Sequence, residues 1–352
     1  MAKRFYRVQD GDRPDLAAIG STSQLDVKGY AFPKIFPLLA VTEKGGTMTV
    51  AAAGLTNAKG TKGRANSTEL KAEDAGTVDV NWTATRYEGR GRLYENDASA
   101  YASAEAADAA GAELAQRLAW NVVEDDAFKT VFSASRIQGA TELVDKGVIK
   151  TLQKSARSLR KFGRATLVMT TNAWDDFISI PEIRHHLRAL AGAGSDIGFI
   201  MTDIEKVRAA VSTFLSFDDI ILFDSDIVGT DADSMVAVIG LRRALPGQNI
   251  GELAKTKAVY GFTPVYIPEG APADKPFDMY AWYDKKNKAN VYDAEAYLGP
   301  KEAFANAVVM HKFAESYSEF PVSIVNMNAG AEPTPDGSEQ TPADPDSPDA
   351  EG

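Results

Sequence analysis

The residues best able to do chemistry are His185 and His186, the acidic runs Glu124-Asp125-Asp126 and Asp224-Ser225-Asp226, and a basic stretch around Lys59. Two histidines could ligate a metal, but helical neighbours point about 100° apart and do not chelate as an i, i+4 pair does. They read as a surface pair. Asp224-Ser225-Asp226-Ile227-Val228-Gly229 begins like a calcium loop. Val228 stands where that loop needs a ligand, and Met235 where it needs a bidentate glutamate, so calcium is not expected. Glu124, Asp125 and Asp126 are consecutive near the end of a helical stretch and point in different directions. That suits a solvated or interfacial face, not a general acid and base.

Nucleotide chemistry fares no better. Five residues separate Gly54 from Gly60, and Thr61 follows, so the phosphate-binding pattern G-x-x-x-x-G-K-S/T is absent. No G-x-G-x-x-G follows a strand, and no G-x-S-x-G elbow is present. Lys59-Gly60-Thr61-Lys62-Gly63-Arg64 is basic and glycine-rich but sits in a polar loop, which suits solvent or a subunit contact better than nucleic acid. The chain has no cysteine, which excludes disulfides, thiolate metal sites and a cysteine nucleophile. No cofactor, metal or catalytic residue is expected, and the chain is not read as an enzyme.

The elements that would position these residues are more informative. At 352 residues, a division into two domains is expected. No secretory signal is visible after Met1, and runs such as Ile35–Val41 and Met235–Leu241 are too short to span a bilayer, so no membrane partner is expected. The formal charge of −11 is unevenly placed. Residues Ala331 to Gly352 hold seven carboxylates, five prolines and no basic residue, leaving a body of net charge −4. Such a tail cannot offset the entropy of ordering and is expected to be disordered.

Two prolines interrupt the apolar run Gly29–Val41, which therefore reads as an extended arm whose aromatics need a surface. Strands are expected at Thr47–Ala53 and Thr77–Tyr87, the second with Val78, Val80 and Trp82 on one face. Between them lies the loop Gly54–Lys71. This long hairpin has too little apolar surface to stand alone. From Ala98 to Ala119 half the residues are alanine, and a spine helix is predicted over about 103–132. Its apolar stripe is Leu114, Leu118 and Val122, with Ala115, Ala119 and Val123 beside it. Beyond Gly139 the pattern is mixed. Helices are expected over Val148–Phe162 and from Pro181, with strands at Ala165–Thr170, Ile197–Met201, Asp219–Phe223 and Ser234–Leu241. A β pair, Pro276–Asp284 and Val291–Leu298, turns through Lys285-Lys286-Asn287-Lys288.

This order resembles the major capsid proteins of tailed bacteriophages, the Hong Kong 97-like fold. The resemblance is carried by Gly29–Pro37, Thr42–Asn96, the Ala-rich stretch ending Leu118–Glu124, Leu167–Trp174 with Ile180–Ile183, and the pair Phe277–Tyr283 and Val291–Leu298. It implies an α+β major capsid fold with an N-terminal arm (1–41) and an extended E-loop (42–96). A peripheral domain with the spine helix would take 97–150 and 266–300. An axial α/β domain would take 151–265 and 301–328, with a disordered acidic tail at 329–352. It implies hexamers and pentamers closing into an icosahedral shell around double-stranded DNA held without sequence-specific binding. Assembly would take place in the host cytoplasm and end in the virion. Implied partners are copies of itself, a separate scaffolding protein (the arm begins within some 30 residues of Met1), a portal protein and a decoration protein. Candidate subunit contacts are Phe32, Ile35, Phe36, Lys59, Lys62, Arg64, Trp82, Glu124, Asp125 and Asp126. Three other readings stand beside this one: an encapsulin-type compartment, an α/β enzyme with an unrecognised site, and a phage tail or adhesion component.

Overall fold

The computed structural model describes residues 10–13, 15–16, 29–52, 76–143, 147–191, 204–242, 249–267 and 276–313. The Gly54–Lys71 loop, the strand expected at Ile197–Met201 and the acidic tail lie outside those residues. Strands run β1 (Gly11–Asp12), β2 (Leu38–Val41), β3 (Gly45–Ala51), β4 (Thr77–Thr83), β5 (Thr85–Tyr94), β6 (Thr141–Leu143) and β7 (Arg164–Thr170), then β8 (Asp219–Phe223), β9 (Met235–Leu241), β10 (Gly261–Tyr266), β11 (Asp278–Asp284), β12 (Ala289–Leu298), β13 (Lys301–Glu302) and β14 (Val308–Phe313). The helices are α1 (Phe32–Ile35), α2 (Glu95–Ala98), α3 (Ala104–Val131), α4 (Ala134–Gln138), α5 (Val148–Ser158), α6 (Thr171–Ser179), α7 (Pro181–Ala191), α8 (Ile204–Leu215), α9 (Ser225–Val228) and α10 (Ile250–Thr256).

Helix α3 matches the long helix predicted over about 103–132; it has 28 residues and is about 42 Å long. Ser103 caps it by accepting the Ala106 N–H at 3.2 Å. At the other end Arg136 donates to the carbonyls of Thr130 and Val131 at 2.7 and 3.1 Å, satisfying last-turn acceptors with a cation that the helix dipole favours. The same guanidinium pairs with Glu302, fixing the helix end to β13.

Of the apolar positions on this helix, the larger ones face outward and the smaller ones beside them face the core. Leu114, Leu118 and Val122 are 39, 38 and 45% exposed, while Ala112, Ala115, Ala119 and Val123 are fully buried. The cause lies in the sheet beneath. A Cβ added at Gly89 of β5 would stand 2.0 Å from the Ala115 carbonyl oxygen, and one at Gly91 would stand 2.7 Å from that of Gly111. Helix and strand approach so closely that only small residues fit between them.

That strand belongs to a sheet ordered β1-β11-β12-β10-β13, with β5 also on β12 and β2 on β10. The predicted β11–β12 hairpin is present, in register from Asp278↔Glu295 to Asp284↔Ala289. On the other side of β12, β5 pairs over ten residues, from Thr85↔Leu298 to Tyr94↔Ala289. A second sheet, ordered β6-β14-β9-β7-β8, carries α5 and α6. Every residue of β9 is buried, as expected of a central strand covered on both faces. Helix α8, strands β10 and β14 and helix α10 had no counterpart in the sequence reading.

The expected extended arm is replaced by a helical turn and a strand. Pro33 sits in the first turn of α1, where its missing N–H leaves no intrahelical bond unmade. After Pro37 the chain enters β2 and pairs in parallel with β10, from Leu38↔Thr263 to Val41↔Tyr266. The β3–β4 hairpin, in register from Gly45↔Thr83 to Ala51↔Thr77, rests on its own chain. Val50 and Val80 pack with Ile250, Leu253 and Ala254 of α10 and with Val259 and Phe262.

Candidate functional site

The ten residues singled out by sequence fall into three groups. Lys59, Lys62 and Arg64 lie outside the described residues. Phe32, Ile35 and Phe36 are 0% exposed within their own chain. The turn of α1 points all three inward: Phe32 meets the Trp120 ring at 5.6 Å, Trp120 meets Phe277 edge-on at 4.9 Å, and Phe36 meets Tyr260 at 5.3 Å. Backbone bonds hold the segment that follows, with Thr263 N–H donating to the Pro37 carbonyl and Thr263 Oγ1 to the Phe36 carbonyl, both at 2.9 Å.

The solvated or interfacial face expected for Glu124–Asp126 is not what Glu124 makes. Its side chain is buried on α3 and takes the N–H groups of Ala31 and Phe32, one on each carboxylate oxygen, at 2.9 Å each. These are first-turn donors of α1 that lack intrahelical partners, so Glu124 caps α1 from a different element. Burial, opposed by those two hydrogen bonds, pushes the Glu124 carboxyl up to about 7. Tyr30 donates to Asn121 Oδ1 at 3.0 Å beside it, and burial pushes its hydroxyl up to about 12. Asp125 pairs with Lys129 one turn on. Asp126 accepts the Tyr87 hydroxyl at 2.6 Å, joining α3 to β5. Burial and that bond together raise the Tyr87 pKa. No local pattern marks Glu124 as a cap, because its partners stand more than ninety residues away in sequence.

Trp82 is half-buried on β4, its ring over Gly46, where an added Cβ would come within 3.1 Å. It lines a cleft of about 530 Å³ with Leu39, Met48, Gly251 and Lys255, between the hairpin and α10.

The chemistry-bearing residues are occupied structurally. Asp224 caps α9 by accepting the Asp226 N–H at 3.0 Å. His185 and His186 are exposed, with ring centres 6.1 Å apart, and His186 stacks on Phe214. His311 of β14 is buried, shares a 2.9 Å hydrogen bond with Ser155 of α5, and has a pKa lowered by burial. Asp233 receives Thr170 Oγ1 and Asn172 Nδ2 at 2.7 and 2.8 Å, bracing the β7–α6 junction. Among the described residues, no group of three or more histidines and carboxylates is placed to hold a metal ion. Among them, no helix is long and apolar enough to cross a membrane.

No family model matches the chain, and no curated protein matches it. Solved structures do. A phage-related protein from Bordetella bronchiseptica RB50 superposes with a TM-score of 0.55 at 13% identity, covering 87% of this chain and 98% of that one. The two proteins share a fold. At that identity the likeness is one of fold alone. Two weaker matches are a virus-like particle from Pyrococcus furiosus (TM-score 0.42, 8% identity, 85% and 97% covered) and a Microbacterium phage Oxtober96 chain (TM-score 0.47, 9% identity, 81% and 91% covered). The shared architecture is mixed α+β.

Proposed function

We propose that this chain is a structural, self-assembling shell subunit, the major capsid protein of a tailed-phage head. The observation that carries the reading is the fold shared across nearly the whole length of the phage-related protein. Other features support it. Helix α3 is more than twice the length of an average globular helix and stiffens one side of the subunit. The β3–β4 hairpin, packed through Val50 and Val80 on α10, is read as the base of an E-loop. The residues able to do chemistry act as caps and braces.

On this reading, hexamers and pentamers close into an icosahedral shell that encloses double-stranded DNA, with scaffolding, portal and decoration proteins as partners. The β11–β12–β5 sheet and α3 form the peripheral domain, and the β6-β14-β9-β7-β8 sheet with its helices forms the axial domain. The basic tip at Lys59, Lys62 and Arg64 rests on an acidic surface of the adjacent subunit. Glu124 is committed to α1, so Asp125 and Asp126, which also hold Lys129 and Tyr87, are the members of the acidic run that would meet that tip.

Negative-stain microscopy with sedimentation of the purified full chain tests the reading. Closed shells of uniform diameter are expected. A small, homogeneous species would overturn it, as would tubes or open rings. Nucleic acid inside shells formed in the producing host separates a DNA container from a compartment that loads enzymes.

A further inference from the structure

Helix α5, the turn after it and the first residue of β7 carry Lys150, Lys154, Arg157, Arg160, Lys161 and Arg164, six cations in the span 150–164 with no carboxylate among them. All six are exposed, in a chain whose formal charge is −11. At 3.6 residues per turn Lys150, Lys154 and Arg157 share one face of α5, opposite the buried Val148 and Leu152. They form a stripe about 10 Å long. Beyond it, Arg157, Arg160 and Arg164 line a cleft of about 720 Å³, closed on its far side by the end of α8 from Ser212 to Ser216. One acid enters the cleft: Asp218, which pairs with Arg164 at 3.1 Å. Among the described residues no carboxylate pairs with the other five cations.

We infer that this face binds the phosphodiester backbone of duplex nucleic acid, by charge and without base readout. The inference rests on the shell reading, in which the chain encloses DNA, and gives that enclosed DNA a contact surface on the subunit. Three features of the face select this ligand. Lys150, Lys154 and Arg157 lie along a line that leads to the arginine-lined cleft, which suits an extended polyanion and not a single phosphate. A duplex carries one charge per about 1.7 Å of axis, so a 10 Å stripe faces about six phosphate charges, enough to partner each of its three cations. Three of the six are arginines, whose planar forks match phosphate oxygens in pairs. The aromatic rings nearest the face, Phe162 and Phe217, are buried, so nothing there stacks on a base.

The test uses the full chain, dispersed as subunits, and a fluorescent random-sequence DNA duplex titrated by anisotropy between about 50 and 200 mM salt. Affinity should fall steeply with salt. The triple variant R157Q/R160Q/R164Q should flatten the log–log salt slope by about 2–3 and weaken binding at least about tenfold at the low-salt end. The double variant K150Q/K154Q should flatten the slope by about 2. All five positions are exposed, and unchanged thermal midpoints will show that the variants are folded. Slopes unchanged in both variants overturn the inference. Displacement of the duplex by polyglutamate as readily as by unlabelled duplex also overturns it, by making the face a site for an acidic polypeptide. Shell formation is scored separately by microscopy. Absence of shells sinks the shell reading and leaves the titration to decide this face; shells with an unchanged slope sink this face alone.

Discussion

Gly111 of the spine helix lies flat against the ring of Tyr292: a Cβ built at Gly111 would stand 2.1 Å from Tyr292 Cε2. Tyr292 is itself buried and donates its hydroxyl to Asp108, one turn earlier on the same helix, at 2.7 Å. The ring is thus clamped between a missing side chain and a carboxylate. Helix propensity alone predicts that Gly111→Ala stabilises by about 1 kcal/mol. The packing predicts the opposite sign, a loss of about 1–3 kcal/mol or more from overpacking. Urea denaturation of the variant decides between them, and a gain in stability would show that the helix can lift off β12.

Glu124→Gln puts in place of the carboxyl an uncharged group that, like the protonated acid, accepts only one of the two buried N–H groups. Its effect on stability depends on pH. The Glu124 carboxyl is raised to about 7 from an ordinary 4.5, so its contribution is fully present below pH 4.5 and is lost as pH rises through 7. The stability of wild type relative to Glu124→Gln should therefore fall by up to about 3 kcal/mol from pH 4.5 to pH 8. Denaturant midpoints measured across that range check the sign, and a rise with pH refutes it.

His311 works in the other direction. Its pKa is lowered by burial from 6.5, so its contribution to stability is present above pH 6.5 and is lost as pH falls below it. His311→Gln should be relatively more stable, against wild type, at pH 5 than at pH 8. Thermal midpoints at the two values test this, with Glu124→Gln as a control of opposite slope.

Serine at Leu114, Leu118 or Val122 should change the stability of the subunit by less than about 0.5 kcal/mol, because all three are already well exposed. Valine at Ala115 or Ala119 should cost about 1–3 kcal/mol, since both are fully buried against β5. The inverse result in denaturation experiments would mean that the helix is turned about its axis.

Reversing Lys59, Lys62 and Arg64 to glutamate should abolish closed particles in negative stain while the thermal midpoint of the subunit stays within a degree or two. Exposed pairs contribute only about 0–1 kcal/mol each, but a closed shell repeats the set at every contact. Normal particles from this variant would remove the basic tip from the assembly contact.

Where one local cause dominated, the sequence was legible. The alanine run with Ser103 before it marks α3 to within a residue at each end, and the alternation around Phe277–Asp284 marks the hairpin. Long-range causes were not legible. Which face of α3 turns inward is decided by Gly89 and Gly91 on a strand twenty residues away, not by the larger residues of the helix. Pro33 reads as a helix breaker until its place in a first turn is known. The same limit hid Glu124, an apparent surface acid that becomes a cap only when the chain brings Ala31 and Phe32 to it. Strands β10 and β14 lack clear alternation because both faces of each are largely covered.

The ten-residue pairing of β5 with β12 also sets a clock. Residues 85–94 leave the ribosome about 200 residues before their partner exists, a wait of roughly 10–40 s at ordinary rates of synthesis. The same wait holds for β2, whose partner β10 is made late. A chain in that interval lacks its largest sheet, so polysome-bound and truncated chains have no finished surface to offer one another. Strand β5 waits with Arg86, Arg90 and Arg92 among its ten residues, charges that discourage unpaired strands from joining edge to edge. Order of synthesis thereby defers the pairing of β5 and β2 within the chain until its last third has been made.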